Sequence, residues 1–116
     1  MDNSDFYEAE RFLELGLYPQ AFEAFMALEA GSYERNYLMP CKMALKNQLT
    51  PSQLDLLIDE MEREVKKSNP RVTYNYGLVM EHTGSQAKAI QLLQLAMDLG
   101  VPEARGALTR LLIKGA

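Results

Sequence analysis

The sequence predicts an all-α fold made of stacked helical hairpins, and three observations predict it. A segment around Gly16 recurs around Gly84, 68 residues later and so twice a period of 34. Helix start and stop signals punctuate the chain from end to end. No segment alternates apolar and polar residues between hairpin turns, as strands would. In the repeat, Gly16 pairs with Gly84, Ala21 with Ala89, Phe25 with Leu93 and Leu28 with Ala96. Midway between them, Thr50-Pro51-Ser52-Gln53 starts another helix at the same phase.

Cap and periodicity signals place seven helices, over about 4–15, 18–30, 34–48, 51–67, 70–82, 85–99 and 102–114. Gly16 and Gly84 can take the left-handed conformation that closes a helix C-terminus. Thr50 to Gln53 reads as a capping box with proline at the first helical position, and Asn69-Pro70 is a second cap-plus-proline start. Gly100-Val101-Pro102 ends the sixth helix and begins the seventh. Pro40 sits inside the third, so that helix either kinks there or begins later, near Met39. The fourth helix carries Leu54, Leu57, Ile58 and Met61 on one stripe. Asp59/Arg63 and Glu62/Lys66 lie opposite, at the spacing of an exposed, ion-paired face. The carboxylates Asp55, Asp59, Glu60, Glu62 and Glu64, followed by Lys66 and Lys67, read as a solvated face that complements the helix dipole. The sixth is the best patterned, with Ala89, Leu92, Leu93, Ala96 and Met97 in phase.

The chain has 116 residues and 13.1 kDa, enough for one domain spanning 1–116. With 47% hydrophobic and 24% charged residues it is a globular composition rather than a disordered one. The net charge of −4 and pI near 5.0 argue against nucleic-acid or anionic-membrane partners, which need clustered Lys and Arg. Cys41 is the only cysteine and cannot form an internal disulfide. The acidic start Met1 to Asp5 lacks the positive charge and apolar stretch of a secretory signal, and no apolar run approaches the length of a membrane span. A cytoplasmic location is the expectation.

A 34-residue helix-turn-helix unit with Gly16, Tyr18, Ala21, Phe25 and Leu28 at fixed steps resembles the tetratricopeptide repeat, TPR. Gly77, Gly84, Ala89, Leu93 and Ala96 match the small and packing positions of a third such unit. Lys88-Ala89 and Gly100 to Ala104 also resemble the related Sel1-type repeat. The resemblance implies a superhelical stack of three TPR-like repeats, about 2–35, 36–69 and 70–101, plus a capping helix over 102–114. The middle unit departs from the pattern, with Met43 where a small residue belongs and Ala44 one step away. Asp5 and Glu8 stand at positions the family fills with packing side chains. Length and repeat count are further similar to the small repeat chaperones of type III secretion needle subunits.

In such a stack the first helix of each unit lines a concave, partner-holding groove. Carried onto this chain, the groove residues are Phe6, Glu10 and Leu13, then Tyr37, Ala44 and Asn47, then Arg71, Tyr74, Leu78 and Glu81. The resemblance implies no carboxylate clamp here, because the Lys/Asn/Arg cluster of some relatives is missing. Apolar residues at helical spacing are more often core than groove, which weighs on Phe6 and Leu13; Tyr74 and Leu78 stand evenly between the two. Tyr37 offers contact area and a hydrogen-bonding tip. Met39 and Met43 suit an adaptable surface but more often fill a core.

Cys41 and His82 are too isolated for nucleophilic catalysis or zinc binding, and no Gly-rich loop follows a strand to hold phosphate. The expectation is therefore a non-enzymatic module without cofactor or metal. It would be a protein–protein adaptor or small chaperone that holds a helix or apolar segment of another protein. The alternative is a regulatory or immunity-type protein that binds a basic folded partner through its acidic surface, and a homo-oligomer is possible in either case. Moderate salt separates the two, since it weakens charge-steered association far more than apolar binding.

Overall fold

The computed structural model describes residues 4–29 and 37–114. Among the described residues the chain is all-helical, with no strand. Its helices are α1 (Ser4–Glu14), α2 (Tyr18–Glu29), α3 (Leu38–Leu45), α4 (Pro51–Lys66), α5 (Pro70–His82), α6 (Gln86–Asp98) and α7 (Glu103–Lys114). None is long and apolar enough to cross a membrane. The predicted elements and the observed ones agree closely, except at α3. That helix was expected over 34–48, and 34–36 lie outside the described residues. It starts at Leu38, which puts Pro40 in the first turn, where backbone N–H groups have no intrahelical acceptor to lose.

Helix ends follow from local chemistry. Gly16 and Gly84 have φ of 76° and 91°. Behind each, the next residue donates back across the turn: Leu17 N–H to Phe12 O, and Ser85 N–H to Met80 O, both at 2.9 Å. Asn47 does the same work for α3 with φ 59°, the Gln48 N–H reaching Met43 O at 2.9 Å. The middle turn thus closes three residues before Thr50, which shortens α3. The Thr50 capping box is formed: Thr50 N–H donates to Gln53 Oε1 at 3.2 Å and Gln53 N–H to Thr50 Oγ1 at 3.1 Å. Asn69 Oδ1 accepts from Val72 N–H at 3.2 Å, with Pro70 behind it at the first helical position.

The chain packs as two compact units, Met1–Leu57 and Ile58–Ala116. In the first, α1 and α2 form a hairpin, and α3 packs on α2. Ala9, Ala21, Phe22 and Phe25 are fully or almost fully buried there, and Phe6 meets Phe25 edge-on at 5.9 Å between ring centroids. In the second, α5 packs on α6 and α6 on α7. Val72, Val79, Ala89, Leu93, Ala96 and Ala104 are all at 0% exposure. Gly77 is the point of closest approach: a Cβ there would stand 2.9 Å from both Cγ and Cδ2 of Leu93. Its missing side chain is what lets α5 and α6 close.

Two glycines in helix interiors should therefore respond with opposite sign to alanine. Gly77→Ala should cost about 1–2 kcal/mol because the added methyl displaces a buried leucine. Gly106→Ala, where nothing lies within 4 Å of the new Cβ, should gain up to about 1 kcal/mol from helix propensity. Urea denaturation of the two variants measures both.

Candidate functional site

Helix α5 is buried on most of its circumference. Val72, Thr73, Asn75, Tyr76, Gly77, Val79 and Met80 are all inside. Between its ends, Arg71, Tyr74, Leu78 and Glu81 remain, at steps of three and four that put them on one strip. Arg71 is exposed, and Tyr74, Leu78 and Glu81 are half-buried. These are the four residues that the repeat resemblance assigns to the third unit's groove face.

Both ends of the strip are clasped to α7. Arg71 Nη2 donates to Glu103 Oε2 at 2.9 Å. At the far end, Arg110 holds Glu81 side-on, with Nε at 3.2 Å from Oε2 and Nη2 on Oε1. The first residues of α5 thus meet the first of α7, and the last of α5 a residue further along α7, so the two helices point the same way. Glu103, Gly106 and Arg110 share one face of α7. Along α5, Tyr74 and Leu78 fall between the two clasp residues, and along α7 Gly106 falls between Glu103 and Arg110, with open space where its Cβ would be. The Arg71 guanidinium also stands 5.8 Å from the Tyr74 ring centroid, a cation–π distance.

The electrostatics lock these pairs in their charged forms. Glu81 first, with Tyr74 contributing, holds Arg110 above its ordinary value against the opposing effect of burial. The backbone N–H of Glu103 itself, then Arg71, holds the Glu103 carboxyl below the usual range.

A second polar cluster sits nearby in sequence. The Tyr76 hydroxyl donates to Glu62 Oε1 at 2.6 Å, Lys88 Nζ lies 2.9 Å from the same oxygen, and Nζ stands 5.7 Å from the Tyr76 ring centroid. Burial, then the bond to Glu62, pushes the Tyr76 phenol above its ordinary value, away from the lowered value a proton-transferring tyrosine needs. The cluster ties α4, α5 and α6 together. This corrects the expected surface pairing of α4. Glu62 turns to Tyr76 and Lys88, Arg63 pairs with Glu60 rather than Asp59, and Glu64 is 9% exposed with Lys67 at 3.0 Å.

The remaining groove candidates, from the first two expected repeats, fall in the compact unit Met1–Leu57. Phe6, Glu10 and Leu13 are half-buried along α1. Tyr37 and Ala44, at 5% and 6% exposure, present almost no surface, and Tyr37, expected as the better anchor, is the left-handed residue that precedes α3. Asn47 is exposed, as the residue that terminates α3. Cys41 is buried and His82 is exposed at the end of α5. Among the described residues, no group of three His, Cys, Asp or Glu is placed to hold a metal. Sequence reading missed Glu103, Gly106 and Arg110 by taking α7 only as a cap. The signal was there: opposite charges stand 32 and 29 residues after Arg71 and Glu81, close to one repeat.

Compared with known proteins, the chain matches no family model, no curated protein and no solved structure.

The Glu62 cluster sets an acid response. The Tyr76 hydroxyl, then Lys88, holds the Glu62 carboxyl below its ordinary value of 4.5. Its stabilisation is therefore complete above that value and is lost as pH falls below it. Glu62→Gln should lower stability at neutral pH by about 1 kcal/mol, allowing for solvent screening, and should flatten the decline below about pH 5. Denaturant midpoints at successive pH values report both effects.

Proposed function

We propose that this chain is a non-enzymatic protein-binding module of the TPR type, a small adaptor or chaperone. Its first-helix strips hold a helix or extended apolar segment of another protein. One observation carries the reading. The unburied strip of α5 coincides with the groove face implied by the repeat resemblance, and it is clasped to a co-directional α7 at offsets of 32 and 29 residues. Co-directional first helices one repeat apart are what a superhelical stack of such hairpins requires.

The clasps also dictate how a partner is held. Arg71 and Glu81 already satisfy Glu103 and Arg110, so the charges at the strip's ends are engaged within the chain. What the strip offers in its centre is the Tyr74 ring, the Leu78 side chain and the open backbone of Gly106. An aliphatic or aromatic anchor suits it, with Tyr74 and Leu78 supplying the apolar area. A client segment of this kind would aggregate on its own, which suits a small chaperone of the type III needle kind.

Capture from host lysate on the immobilised chain, compared with a Tyr74→Ala/Leu78→Ala variant, tests the reading. A protein retained by the native chain should be reduced at least tenfold on the variant, and retention should survive about 0.5 M salt, since apolar contacts are little screened. Equal retention by both would remove α5 as the binding strip.

A further inference from the structure

A second surface, sharing no residue with the α5 strip, lies on the outer side of α1. Tyr7 and Leu15 are 63% and 60% exposed. With Arg11 they stand at steps of four and form one stripe along and just beyond the helix. Glu8 and Glu14 flank that stripe and are themselves exposed. A shallow cleft of about 420 Å³ runs along it, lined by Tyr7, Glu8, Glu10, Arg11 and Glu14.

Among the described residues, the acidic charge on this helix meets no cation of another element. Helix α1 carries four carboxylates, Asp5, Glu8, Glu10 and Glu14, against Arg11, a sum of −3 in a chain whose total is −4. Among the described residues none of the four is in an ion pair. By contrast Glu60, Glu62, Glu64, Glu81 and Glu103 each hold a lysine or arginine. An exposed aromatic and an exposed leucine between unpaired carboxylates form the complement of one kind of segment: an apolar stripe bordered by lysine or arginine.

We infer that the outer face of α1 docks a basic amphipathic helix of a partner protein, with Tyr7 and Leu15 as apolar anchors and Glu8 and Glu14 as counter-charges. A second copy of this chain is the poorer occupant, because α1 against α1 opposes −3 to −3. Nucleic acid and anionic lipid are repelled by the same sum. A basic helix gains on both counts: the carboxylates steer its approach, and the exposed rings and methyls are covered on arrival.

The probe is a synthetic helical peptide of roughly 18 residues, long enough for four or five turns, with a leucine stripe bordered by lysines. Controls are the same peptide with glutamates for lysines, and a scrambled sequence of equal charge without a stripe. Binding is followed by fluorescence anisotropy at low and moderate salt. The lysine peptide should bind, and should weaken at least tenfold between about 0.05 and 0.5 M salt. Glu8→Lys/Glu14→Lys and, separately, Tyr7→Ala/Leu15→Ala should each weaken it about tenfold. All four side chains are exposed, and circular dichroism confirms that the variants are folded. Tyr74→Ala/Leu78→Ala should leave this binding unchanged.

Equal binding of the scrambled or glutamate peptide, or no loss in the α1 variants, overturns the inference. Loss on the Tyr74/Leu78 variant instead moves the peptide to the α5 strip, which overturns this docking site and leaves the groove reading standing. Self-association that is abolished by Tyr7→Ala makes the occupant a second copy and likewise overturns it.

Discussion

The absent side chain at Gly77 sets the geometry of the second unit. With Leu93 Cγ and Cδ2 occupying the space a Cβ would take, α5 lies close against α6, and its buried arc is fixed by that contact. Tyr76 then points to Glu62 and Lys88, and Val72, Val79 and Met80 go inside. The four residues left over fall on one strip, so the surface available to a partner is a remainder decided by core packing. A close-packed interior leaves little freedom to rotate that strip elsewhere.

Much of the architecture was legible in the chain. Turns at Gly16 and Gly84, the Thr50–Gln53 box and the Asn69-Pro70 start each encode a helix end through local chemistry, and all four appear as read. That Asn47 ends α3 was not legible, because a left-handed asparagine is chemically indistinct from any other surface asparagine until its φ is known. Glu62 was misread because helical periodicity reports which face a residue is on, not what the next helix presents to it. The half-burial of Tyr74 and Leu78 was left open by the sequence, since an apolar residue at helical spacing suits core and surface alike. The clasps by Glu103 and Arg110 could not be read, since long flexible side chains pair across elements whose spacing only the fold provides.

Charge is paired unevenly between elements. Within α4 to α7 the carboxylates of Glu60, Glu62, Glu64, Glu81 and Glu103 are held by neighbouring cations. Among the described residues, helix α1 keeps its anionic groups outside any ion pair, beside exposed apolar ones.

Among the described residues, Tyr37, Asn47 and Ser68 are the non-glycine residues with positive φ, at 62°, 59° and 60°, and all three border α3 or α4. Each holds an L side chain in a conformation that costs of the order of 1 kcal/mol. Helix α3 spans only eight residues. Backbone tension and a short helix therefore coincide at mid-chain, which makes that stretch the natural weak link: its amides would exchange with solvent earliest, and fraying would spread from the centre of the polypeptide toward its two hairpin-built ends.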